Sequence, residues 1–88
     1  MFYVYILYSE THDRYYVGQT DNLDARLARH NAGEVFATTP YGPWKLVYQQ
    51  RYATRSEAMM RERSIKKKKS RKYLEYLLNR QSPDSHRD

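Results

Sequence analysis

Hydrophobic and polar positions change period several times along the chain, and each change marks an element. Residues 2–9, FYVYILYS, are β-branched and aromatic, the composition of a strand. The polar stretch ETHDR over 10–14 turns the chain, and YYVGQT over 15–20 reads as the returning strand of an antiparallel hairpin. Asp21 or Asn22 then offers a helix N-cap and Gly33 suits the position just past a C-terminus, which predicts a helix over 22–31. Residues 32–43, with Pro40, Gly42 and Pro43, read as a loop, and WKLVYQQRY over 44–52 as a third strand.

Thr54, Arg55, Ser56 and Glu57 fit a capping box, in which the Thr hydroxyl accepts from the third helical amide while Glu57 reaches back. A second helix follows to about Lys68. Ser70 caps a third, which carries Tyr73, Leu74, Leu77 and Leu78 at helical spacing. The order β-β-α-β-α-α predicts an α+β fold, a small three-stranded antiparallel sheet flanked by helices. One domain over 1–80 and a flexible tail over 81–88 complete the reading.

Some polar side chains fall where apolar ones belong. Leu23 and Leu27 define the apolar side of the first helix, and at 100° per residue Arg26 and His30 fall beside them. In the second helix Glu62 lies between Ala58 and Ile65 on the inward stripe. A carboxylate there costs several kcal/mol, in order of magnitude, unless it is paired or bound to a cation. An ion pair between Glu62 and Arg26, with His30 as a satisfied boundary histidine, is the structural explanation; a shared polar pocket is the functional one. On the hairpin, Tyr3 and Tyr5 share one face of the first strand, and Tyr16 shares a face with Gly18. Gly18 removes a side chain where a ligand or backbone approaches closely.

Composition adds a direction. The net charge of +6 is concentrated: residues 61–72 hold eight Lys or Arg and one acid, a net +7, leaving −1 on the rest. Such a block is the footprint of a phosphate-backbone binder, although a solvated helix face or an anionic membrane would also explain it. Cysteine is absent, which excludes disulfides, thiolate ligands and a cysteine nucleophile. The longest apolar run, 2–8, is far shorter than the roughly 20 residues of a membrane span and has no basic leader. A cytoplasmic, nucleoid-associated protein without membrane partners is the expectation, with a monomer favoured.

Together these residues resemble the GIY-YIG nucleases. Tyr3-Val4-Tyr5 followed by Tyr16-Val17-Gly18 is similar to the paired tripeptides that name the family. The downstream pattern agrees: Asn22-Leu23, Arg26-Leu27, His30-Asn31, then Ser56-Glu57-Ala58, Glu62 and Ile65-Lys66. The likeness covers about 2–78 and is greatest to the small single-domain bacterial members, similar to the incision domain of the excision-repair nuclease. Tyr3 stands where the family name has Gly and Val17 where it has Ile; neither change removes a catalytic hydroxyl.

The resemblance implies a metal-dependent DNA endonuclease, with RNA a possible substrate and a place in repair or recombination. It implies Tyr5 and Tyr16 as the motif tyrosines, one of which activates water, and Arg26 as the contact to the scissile phosphate. His30 matches a histidine of some members, Gly18 the glycine that lets the hairpin approach the site, and Glu62 the single ligand of Mg²⁺ (or Mn²⁺). Tyr5 is favoured as the base over Tyr16, with His30 as an alternative base or proton relay. Lys66, Lys67, Lys68 and Lys69 would hold the nucleic-acid backbone without reading sequence. Larger members carry a polar residue after the metal-binding helix, and Asn79 is the candidate here. The competing functions are a non-catalytic nucleic-acid-binding module and a protein-interaction domain built on the basic helix.

Overall fold

The computed structural model describes residues 1–81; the expected tail lies outside them but for Gln81, which closes a helix. Strands β1 (Phe2–Ser9) and β2 (Arg14–Thr20) form the hairpin, helix α1 (Leu23–Asn31) follows, and β3 (Lys45–Tyr52) precedes α2 (Arg55–Lys68) and α3 (Arg71–Gln81). The α+β order is the one read from the sequence. The sheet is antiparallel throughout, in the order β2-β1-β3. Because β1 is central and covered on both faces, Val4, Tyr5, Ile6 and Leu7 are buried in succession.

Two cores lie on opposite faces. Val4, Ile6, Val17 and Tyr48 pack with Ala58 and Ile65 of α2 and Leu77 of α3. Tyr5, Leu7 and Trp44 pack on the other face with Tyr16, Leu23 and Leu27, so α1 covers that side. The β3 register slips by one residue between Ile6 and Leu7. That bulge lets the consecutive Val47 and Tyr48 join the first core while Leu46 joins the second.

The ends of the helices are chemically defined. Asn22 caps α1 by accepting from the Ala25 amide at 3.1 Å. At its other end the Gly33 and Glu34 amides close on the carbonyls of His30 and Arg29, with Gly33 at φ +79. The capping box of α2 is reciprocal, Glu57 N to Thr54 Oγ1 and Thr54 N to Glu57 Oε1, each 3.2 Å. Ser70 caps α3 through the Tyr73 amide.

The 32–43 segment is a loop with one 3-10 turn, Thr39–Tyr41, which the sequence pattern does not predict. Asn31 fastens its far end, bonding both the carbonyl and the amide of Trp44. Inside it, the Trp44 indole N–H donates to the Thr38 carbonyl at 2.9 Å. This anchoring brings a loop residue into the core below α1.

Candidate active site

Strand pairing creates the centre of the site. Tyr5 stands opposite Gly18, and Leu7 opposite Tyr16, so both motif tyrosines face α1. Gly18 serves the site in a way the sequence did not predict. What approaches it is the Tyr5 phenol, since an added Cβ would lie 2.5 Å from Oη and 2.7 Å from Cζ. The missing side chain makes room for a tyrosine that crosses its partner strand.

Helix α1 supplies the next layer. His30 is 1% exposed, and its Nε2 lies 2.9 Å from Tyr5 Oη. Its Nδ1 lies 2.8 Å from Thr38 Oγ1. One turn earlier, Arg26 lies within electrostatic reach of the Tyr5 phenol. The rings of Tyr5 and Tyr16 both pack against the imidazole, with centroids 5.8 and 5.0 Å away. Burial, the charge of Tyr16 and, more weakly, Glu62 push the Tyr5 phenol up to about 12 against the opposing pull of Arg26. Burial, with Arg26 and Arg29 adding, pulls His30 down to about 4. At neutral pH both groups are therefore uncharged, with the proton on tyrosine and a lone pair on imidazole.

Glu62 comes from the opposite face. Ala58 and Ile65 anchor α2 in the first core, and Glu62 between them is held in a half-buried position, its side chain 21% exposed. Its partner is Lys66, at 2.8 Å one turn on, and not Arg26. The Lys66 ammonium also lies 5.7 Å from the Tyr16 ring centroid. Since Tyr16 faces α1, this approach is made across the free edge of β2. Glu62, Lys66 and Tyr16 thus join the two sides of the sheet.

A model of the GIY-YIG catalytic domain matches residues 1–74. The chain belongs to the GIY-YIG family. It is a nuclease family, and its substrate class is nucleic acid. Among curated relatives, this GIY-YIG chain is 45% identical over 65 residues to a UPF0213 protein of Staphylococcus haemolyticus, a match covering 73% of the chain and 78% of the relative. A UPF0213 protein of Streptococcus pneumoniae is 40% identical over 81 residues, with 90% and 80% covered. The solution structure of a UPF0213 protein from Bacillus halodurans matches with a TM-score of 0.59 and 32% identity, covering 97% of this chain and 92% of that one.

The donor set bears on the metal that the GIY-YIG family implies. No cluster of three or more His, Asp or Glu side chains that could cage an ion occurs among the described residues. Mg²⁺ does not need one, because it keeps several waters and uses one or two carboxylates plus substrate phosphate. A single carboxylate, mostly buried yet open on one side, fits that requirement. A cation there would share or displace Lys66.

The remaining expectations divide. Tyr5, Tyr16, Arg26 and His30 converge, with Glu62 within electrostatic reach. Lys67, Lys68 and Lys69 are exposed, Lys68 lying 5.1 Å from the Tyr73 ring centroid and Lys69 ending α2 in a left-handed conformation. Asn79 is exposed on α3, the helix that packs on the face away from α1. No hydrogen bond joins Asn79 to Glu62 or Arg26 among the described residues. Thr38, Trp44 and the inward turn of Lys66 carry no signal in the sequence pattern. No helix among the described residues is long and apolar enough to cross a membrane.

Proposed function

We propose that the chain is a metal-dependent DNA endonuclease that hydrolyses phosphodiester bonds at the Tyr16, Arg26 and Glu62 face, selecting DNA by structure in repair or recombination. The observation that carries this reading is that Tyr16, Arg26 and Glu62, from three elements, all lie within electrostatic reach of the Tyr5 phenol. No packing requirement explains three polar groups from three elements meeting there.

Hydrolysis needs a base for the attacking water, charge stabilisation on the phosphoryl oxygens and help for the leaving 3′ oxygen. Arg26 offers the phosphate a charge-assisted fork. Glu62 would hold Mg²⁺ or Mn²⁺, which supplies Lewis-acid stabilisation of the developing charge.

The choice of base moves from Tyr5 to Tyr16. Tyr5 is 1% exposed, and its hydroxyl is bonded to His30. Water has no access to it. Tyr16 is only half-buried. The Lys66 ammonium lies 5.7 Å from its ring centroid and 2.8 Å from Glu62. His30 then orients Tyr5 and takes no proton from water itself. Lys67, Lys68 and Lys69 would hold the backbone.

A non-catalytic nucleic-acid-binding module is favoured by one observation, the Lys66 ammonium already bonded to Glu62. The test is a panel of branched, nicked, single-stranded and duplex DNA incubated with Mg²⁺, Mn²⁺ or chelator. Metal-dependent cleavage of any member supports the endonuclease. Salt-sensitive binding of the panel without any cleavage replaces it with the binding module.

A further inference from the structure

We propose that Thr38 is a positioning residue, locking His30 in its Nδ1–H tautomer and thereby turning the Tyr5 hydroxyl proton onto His30 Nε2. The effect of that orientation on cleavage rests on the nuclease reading above; the tautomer does not.

Protons can be counted along one buried chain of hydrogen bonds. The Thr38 hydroxyl donates to the Val35 carbonyl at 3.2 Å, so toward His30 it can only accept. His30 Nδ1 lies 2.8 Å from Thr38 Oγ1 and therefore carries the proton. A neutral imidazole protonated on Nδ1 has a bare Nε2, and that nitrogen lies 2.9 Å from Tyr5 Oη, whose proton it accepts. No buried side-chain nitrogen or oxygen among the described residues is left unpartnered.

The reverse tautomer fails at the threonine end. With the proton on Nε2, Nδ1 would present a lone pair to a hydroxyl whose proton is already given to Val35. Thr38 is the residue that decides between the two arrangements, and it is firmly held. It is 1% exposed, its amide donates to the Val35 carbonyl and its carbonyl accepts from the Trp44 indole. Its hydroxyl is thus fixed by the loop independently of His30.

The direct test is ¹⁵N NMR of the histidine side chains at pH 7, with His30 assigned by its loss in His30→Gln. The wild type is expected to show protonated Nδ1 and bare Nε2. Thr38→Val, which keeps the shape and removes the hydroxyl, is expected to populate the Nε2–H tautomer, and Thr38→Ser to restore the wild-type pattern. In the cleavage assay Thr38→Val should lose roughly tenfold to a hundredfold in kcat with DNA affinity unchanged, the signature of a displaced reacting group. Protonated Nε2 in the wild type, or an unaltered tautomer in Thr38→Val, overturns the proposal. The wild-type spectrum decides even where a variant fails to fold, and it decides whether or not the protein cuts DNA.

Discussion

A Cβ added at Gly18 would stand 2.5 Å from Oη of Tyr5, across the register where the two residues face each other. The glycine of the second motif is therefore the floor on which the tyrosine of the first motif lies. Tyr5 is 1% exposed and has no room to retreat. Gly18→Ala should cost about 1–3 kcal/mol through overpacking, and it should break the bond between the Tyr5 phenol and His30. Urea melts together with cleavage assays check both; an alanine variant of full stability would show that the ring can move aside.

The tyrosines are expected to separate on mutation. Tyr16→Phe should reduce cleavage by roughly 10²–10⁴, the range of a missing general base. Tyr5→Phe should lose less, because the phenyl ring keeps its packing and only the hydrogen bond to His30 disappears. Single-turnover rates with saturating metal measure this. Equal activity of Tyr16→Phe and wild type would return the base to Tyr5 or His30.

His30 gives the stability a pH dependence of definite sign. Its value is about 4 when folded against an ordinary 6.5, so above pH 6.5 it is neutral in both states and contributes no slope. As pH falls from 6.5 to 4 the unfolded chain takes up a proton that the folded chain refuses. Folding should lose up to roughly 3 kcal/mol from this group over that window. Denaturant melts at pH 7 and pH 4.5 should show a larger drop for wild type than for His30→Gln. Identical drops would place His30 in a more hydrated setting.

The basic segment should act on binding alone. Changing Lys67, Lys68 and Lys69 to Gln is expected to weaken DNA binding across all sequences. It should also flatten the logarithmic dependence of affinity on salt by about 0.9 for each phosphate no longer neutralised. Lys66 is left in place because it bonds Glu62. An unchanged slope in a binding titration moves the phosphate-binding surface elsewhere.

How much of this is legible in the sequence follows from the range of the interactions. The element order, the Thr54 box, the Ser70 cap and the Gly33 terminus rest on local chemistry and appear where the sequence predicts them. Arg26 and His30 are visible because one helical stripe carries them beside Leu23 and Leu27. The β3 bulge is not, because alternation assumes an unbroken period of two. Thr38 is hidden for another reason: a threonine in a loop has no periodic signal, and only Trp44 and Asn31 bring it under α1. The sequence suggests Glu62 and Arg26 as a pair on one sheet. They come from helices on opposite faces, and the lysine one turn from Glu62 takes the ion pair.

The one-metal mechanism stands most directly on Glu62. The measurement is cleavage of the DNA panel by Glu62→Ala beside wild type under saturating Mg²⁺ or Mn²⁺, with binding followed in parallel. The expected result is a variant that folds and binds DNA at least as tightly as wild type. It should nevertheless cleave at least roughly a hundredfold more slowly, a loss of about 2.7 kcal/mol in transition-state stabilisation. A Glu62→Ala protein that binds and cuts at the wild-type rate would contradict the mechanism.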